Sequence, residues 1–213
     1  MAVVVCETFA SILGESSRAG LPAFFIRLTG CNLRCRWCDT SYAYEGGDSR
    51  EVTDLVAAAL ASRLPRVLIT GGEPLLQPDT LSLLTRLCDA GLEVLLETNG
   101  SVPIRGVDRR VCRIVDVKCP GSGMAHAMHW PNLAELTAHD EVKFVISGRE
   151  DFDYAEAAIR EHGLAGGPTL LISPVFGEVP AAEVAGWVTA SPLPLRLNLQ
   201  LHKYLWGADV RGV

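Results

Sequence analysis

The sequence predicts an α/β domain whose mainly parallel sheet curls into an incomplete, open βα barrel. Three observations carry this. Strand-like apolar runs alternate with helix-like ones, the signature of βα units feeding a parallel sheet. The chain has 213 residues, enough for one substantial core. That length, with about seven readable strands and about five helices, falls short of the ~250 residues a closed eight-fold barrel takes.

The elements follow in order. Residues 24–29 read as the first strand and 50–62 as an amphipathic helix rich in Ala and Leu. A short buried strand at 67–70 runs into Gly71-Gly72-Glu73-Pro74, then a helix over 78–90. Strand 92–97 ends at the Asn99-Gly100 turn, and strand 113–117 follows with no obvious helix between them. Strand 141–146, helix 151–162, strand 169–172 and a proline-opened helix over 180–189 continue the alternation. In 195–201, Leu195, Leu197, Leu199 and Leu201 alternate with Arg196, Asn198 and Gln200, which predicts a last strand. Its polar side faces either the barrel lumen or water.

Composition excludes several classes. Hydrophobic residues make up 48% and charged residues 21%, a globular balance rather than a disordered one. The net charge of −6, with no block of Lys or Arg, disfavours a nucleic-acid partner. No apolar run reaches the ~20 residues that span a bilayer. The N-terminus lacks a basic region and a cleavage site, so the expectation is a cytoplasmic single domain over 1–213 with no membrane partner. Seven cysteines, an odd count, argue against a disulfide framework. Cys6, Cys88 and Cys112 read as small buried hydrophobes.

Three of the cysteines are crowded together. Cys31, Cys35 and Cys38 form C-x3-C-x2-C directly after a strand, so three thiolates can converge on one centre from a single loop. Three ligands suit a [4Fe-4S] cluster with one open iron. The alternative is a structural zinc site, completed by Cys112, Cys119 or a histidine.

The triplet, Trp37 before its third cysteine, and the GGEP turn after strand 67–70 together resemble the radical S-adenosylmethionine (SAM) superfamily. A longer stretch, TFASILGESSRAGLPAFFIRLTGCNLRCRWCDT, and the closing Gln200-Leu201-His202-Lys203 resemble the 7-carboxy-7-deazaguanine synthase family. The resemblance spans Thr8 to Lys203, with weaker stretches between motifs. It implies a trimmed radical SAM barrel that dimerises and converts 6-carboxy-5,6,7,8-tetrahydropterin to 7-carboxy-7-deazaguanine, releasing ammonia on the route to queuosine. It also implies a [4Fe-4S] cluster, SAM used catalytically, Mg2+, and a reductant protein of the flavodoxin or ferredoxin type.

Residue roles follow from the same resemblance. Cys31, Cys35 and Cys38 would hold the cluster, and Thr40 the magnesium. Trp37, Cys38, Asp39, Gly72, Glu73, Asp116, Val117, Lys118 and Ser173 would meet SAM. Substrate would be held by Ile12, Leu13, Gly14, Glu15, Arg27, Thr70, Glu97, Asn99 and His202, with Glu97 and His202 as candidate catalytic groups. Residues 1–23 thus read as a substrate-binding segment. Arg27 suits a carboxylate because its planar guanidinium can pair bidentately. Two positions depart from the pattern: Leu13 stands for the usual glutamine and Ser16 for the usual glycine. The tail 204–213 runs past the shared ending, so no contact is carried onto it. The competing readings are a glycyl-radical activase, which binds a partner's loop, and a non-catalytic zinc adaptor.

Overall fold

A computed structural model describes residues 1–213. Its one sheet has nine strands. They are β1 (Ala2–Ile12), β2 (Pro22–Leu28), β3 (Asp48–Glu51), β4 (Arg66–Gly71), β5 (Glu93–Thr98), β6 (Cys112–Val117), β7 (Glu141–Ile146), β8 (Thr169–Pro174) and β9 (Leu195–Leu197). The order is β3-β1-β2-β4-β5-β6-β7-β8-β9. From β2 to β9 every pairing is parallel, while β1 runs antiparallel to both β2 and β3. The sheet does not close on itself, as the length predicts.

Helices α1 (Val52–Ala61), α2 (Thr80–Asp89), α3 (Arg149–Glu161) and α4 (Ala181–Ala190) cover the outer face. Each buries the stripe its spacing demands: Val52, Leu55 and Ala59 on α1, and Phe152, Ala155 and Ile159 on α3. Strand residues of one parity meet these stripes. Val67, Ile69, Val94 and Leu96 join one core with α1 and α2; Val142, Phe144, Leu170 and Ile172 join another with α3 and α4. The opposite parity points inward and builds the lumen.

Two strands were absent from the sequence expectation. β1 mixes apolar and polar residues without a clean period, and all four residues of β3 are exposed. A short charged strand is what an exposed sheet edge tolerates, so no hydrophobic pattern announces it. The expected strand over 195–201 is also corrected: it stops at Leu197, and α5 (Leu201–Trp206) begins where its last leucine was placed. Asn198 makes the last ladder bond, N–H to Ile172 O at 2.8 Å. Its polar neighbours divide, with Arg196 exposed, Asn198 buried and Gln200 facing the lumen.

Candidate active site

Inward-facing side chains form two layers. Nearer the strand starts, Phe25, Leu68, Leu95 and Ile114 make an apolar floor with Leu13 and Ala23. Two residues further along the same strands stand Arg27, Thr70, Glu97 and Asp116, and β7 adds Lys143. This upper layer lies at the C-terminal ends of the parallel strands and lines a cavity of about 660 Å³.

Lys143, absent from the sequence expectation, is its centre. Its Nζ lies 2.6 Å from Glu15, 3.9 Å from Glu97 and 3.8 Å from Asp116. Burial works against its charge, and Glu15, Glu97 and Asp116 outweigh it, raising the pKa well above the usual lysine value. Its signal was present: in Glu141–Ile146 the charged residues 141 and 143 occupy the inward parity of an otherwise apolar strand. Thr70 donates its hydroxyl to Glu97 at 2.8 Å. Lys118 pairs with Asp116 at 2.9 Å.

The end of β1 and the loop after it bring Ile12, Leu13, Gly14 and Glu15 to the cavity, with Leu13 joining the floor. Glu141, 1% exposed, anchors it from below by accepting from Ser17 N–H and Arg18. From the other side, Asn198 accepts the Ser16 N–H at 2.9 Å and donates to Ser173 at 2.8 Å. Leu201 N–H donates to Gly14 O, and the His202 ring sits directly against Gly14. A Cβ on Gly14 would fall 2.0 Å from His202 Nδ1, so only glycine permits this approach. Burial pushes the His202 pKa down, against Glu15 and Asp39, which favours the neutral ring.

Across the cavity, the thiols of Cys31, Cys35 and Cys38 line one wall with Trp37, Asp39 and Thr40. The GGEP turn packs directly on this loop. Glu73 N–H donates to Gly30 O at 2.7 Å, and a Cβ on Gly72 would fall 2.1 Å from the same oxygen. Asp39 pairs with Lys203 at 2.7 Å and accepts from Thr40. Desolvation opposes the Asp39 charge, but Lys203 and the Thr40 hydroxyl hold its carboxyl far below the ordinary range.

Not every expected residue reaches the cavity. Glu73 is fully buried and turned away: it accepts from Asn99 N–H, Leu75 N–H and Thr98, tying the GGEP turn to the end of β5. Val117 packs in the outer core, and Ser173 is buried beneath Asn198. Asn99 lines the cavity, but its amide donates toward Asn32 and Cys31 in the cysteine loop. The two cysteines offered as completing a zinc site lie elsewhere: Cys119 is in the outer core and Cys112 beneath the floor. Cys88 and Cys112 are buried, whereas Cys6 is only half-buried.

Other contributors had little signal. Glu7 holds Arg27 Nε at 2.8 Å and accepts from the Tyr42 hydroxyl at 2.9 Å. Burial pushes the Tyr42 phenol up to about 12, keeping it a donor. The tail, onto which no contact had been carried, runs back over the cavity and lines it from Ala208 to Val213.

The donor set fits a cluster: three thiols on one cavity wall, none in a disulfide. No three His, Cys, Asp or Glu side chains converge closely enough to hold a single metal ion. Beside the thiols, Asp116 Oδ1 is buried with no partner, an acceptor suited to an N–H or O–H of a bound molecule. The radical SAM superfamily pattern matches residues 25–186, which hold the cysteine loop and the GGEP turn. A 7-carboxy-7-deazaguanine synthase of Chlorobaculum tepidum is 43% identical, covering 98% of this chain and 96% of its own. The chain belongs to the 7-carboxy-7-deazaguanine synthase family of radical SAM proteins.

A second member of that family, from Koribacter versatilis, is 41% identical over 98% of this chain and 99% of its own. Among solved structures, QueE from Escherichia coli aligns with a TM-score of 0.78 at 22% identity, covering 93% of this chain and 94% of that one. Streptococcus suis SuiB bound to S-adenosylmethionine aligns at 0.57, covering 79% of this chain and 44% of its own. These two share the fold of this chain. No helix is long and apolar enough to cross a membrane.

Proposed function

We propose that this cavity converts 6-carboxy-5,6,7,8-tetrahydropterin to 7-carboxy-7-deazaguanine with release of ammonia, in queuosine biosynthesis. The observation that carries the reading is the divided charge of the cavity in a chain of this family. Glu15, Glu97 and Asp116 gather round Lys143 on one side, and Arg27 stands on β2. A pterin has the matching division, with donor N–H groups along its pyrimidine edge and a carboxylate on the other ring. The carboxylates receive the N–H edge, and Arg27 receives the acid through the guanidinium nitrogens that Glu7 leaves open.

When bound at the cysteine loop and the GGEP turn, a [4Fe-4S] cluster and SAM supply the one-electron chemistry that removes and returns a substrate hydrogen. Around that chemistry the chain positions and shields. Thr70 and Lys143 fix Glu97, whose Oε1 is placed to take a proton during the rearrangement. The neutral His202 ring closes the cavity above Gly14. Trp37, Gly72, Asp116 and Lys118 form the wall for SAM, and Thr40 with Asp39 offers oxygens to Mg2+. The remaining expectations, a flavodoxin or ferredoxin reductant, a homodimer and a cytoplasmic location, belong to the same reading.

The test is anaerobic reconstitution with SAM, reductant, Mg2+ and the carboxylated tetrahydropterin, followed by mass spectrometry for the deazaguanine. Many products per SAM establish the reading. SAM cleaved to 5′-deoxyadenosine without a deazaguanine product leaves the radical chemistry standing and removes the pterin.

A further inference from the structure

The tail past the shared Gln200–Lys203 ending is a strap over the cavity, and it brings Asp209 and Arg211 to the lining. Arg27, Lys118, Lys143 and Lys203 line the cavity, each with a carboxylate partner at 2.6–2.9 Å. Arg211 also lines it and has no such ion pair. Its guanidinium lies over the Tyr42 ring, 3.9 Å from the centroid. Arg27 approaches the same ring, at 5.8 Å. Tyr42 in turn donates to Glu7, which holds Arg27.

Three charged groups are therefore organised by one phenol: Arg27, Arg211 and Glu7. Glu7 pairs with Arg27, while Arg211 makes no ion pair with Asp209 or any other carboxylate of the lining. Two guanidiniums sharing an aromatic surface repel unless an anion joins them. Glu7 occupies Arg27 Nε, which leaves the terminal nitrogens of both arginines for a ligand. Planar guanidinium groups select carboxylate oxygens by geometry as well as charge.

We propose that Arg211 completes, with Arg27, an anion seat across Tyr42 that selects a carboxylated pterin over an uncharged one. The proposal rests on the pterin reading for the identity of the anion, and on the strap geometry for the seat. The strap is thus a specificity element as well as a cover. Recognition of the acid is shared between a strand residue and a residue near the end of the chain.

The test compares reconstituted holoenzyme with its Arg211→Ala and Arg211→Lys variants, all with SAM bound. The probes are 6-carboxypterin and unsubstituted pterin, whose fluorescence reports each dissociation constant; turnover of the tetrahydropterin is measured in parallel. Wild type is expected to prefer the carboxylated probe. Loss of one charge-assisted contact in Arg211→Ala lowers that preference about tenfold or more. The change falls on the carboxylated probe and on KM rather than kcat, and Arg211→Lys restores part of it. If Arg211→Ala weakens both probes equally, the strap is only a cover and the seat is overturned. An unchanged preference in Arg211→Ala overturns it as well, leaving Arg27 as the acid's partner. If wild type turns over no pterin yet keeps an Arg211-dependent preference for the acid, the pterin reading falls and the seat stands.

Discussion

The floor and the mouth of the lumen are built from the same strands, two residues apart, and they have opposite chemistry. Phe25, Leu68, Leu95 and Ile114 form the floor, 0–6% exposed and apolar. Arg27, Thr70, Glu97 and Asp116 form the mouth and exchange hydrogen bonds and ion pairs with Glu7, Lys118 and Lys143. Both layers share the inward parity, so parity alone does not make a site. Depth along the strand decides. The floor excludes water and fixes the backbone, and the carboxylates above it act in a medium where charge interactions are strong.

The sharpest way to break this division is to remove the charge that holds the mouth together. Lys143→Met leaves Glu15, Glu97 and Asp116 facing one another without their ammonium. A loss of about 3–5 kcal/mol is expected from chemical denaturation, the range for breaking a buried ion pair. If stability is unchanged, Lys143 is not the keystone the geometry makes it.

Floor and mouth separate next by what each substitution damages. Leu95→Ala opens a cavity beneath the site and costs about 3 kcal/mol of stability, with kcat of the surviving folded enzyme largely kept. Glu97→Gln keeps the shape and the Thr70 contact but removes the carboxylate proposed as the proton acceptor. It is expected to retain its melting temperature while turnover falls about a hundredfold. The same outcome for both variants would erase the distinction between layers.

A smaller effect tests the lid above the mouth. Burial lowers the His202 pKa in the folded protein, so near neutral pH and above, folded and unfolded forms are both neutral there. As pH falls below about 6.5 the unfolded chain takes up a proton that the folded ring resists, and stability declines toward the folded pKa. His202→Gln should flatten that part of the stability–pH curve; an unaltered slope would place its origin in another group.

The smallest effect concerns the loop that crosses the floor. Ser16 has φ of 79°, the left-handed region, and its hydroxyl accepts from Arg18 N–H at 3.1 Å. Ser16→Ala keeps the strained backbone and loses the bond, costing about 1 kcal/mol. Ser16→Gly loses the bond but relieves the backbone, so its stability should stay within about 0.5 kcal/mol of wild type. Thermal denaturation of the pair distinguishes the two contributions.

Much of this was legible in the chain. Strand and helix periods placed seven parallel strands and four covering helices, because each has one face in a core. The cysteine spacing and the GGEP turn marked one wall of the cavity, since both are local backbone arrangements. The two glutamates Glu73 and Glu97 show the limit. Both follow a strand pattern near a turn and both were expected at bound molecules, yet Glu73 is wholly buried in backbone N–H groups while Glu97 keeps a quarter of its side chain open to the cavity.

The sequence by itself determined the alternation of faces, the open length of the barrel and the three thiols on one loop, all set by contacts between near neighbours in the chain. Only the tertiary structure decided the charged edge strand β3, the central role of Lys143, the tether from Asn198 to Ser16 and the return of Arg211 to Tyr42. The pairing of β3 with β1 joins residues 43 to 49 positions apart, and the tether from Asn198 to Ser16 spans 182. A side-chain period fixes which way a residue points, but carries no information on which distant segment it will meet there.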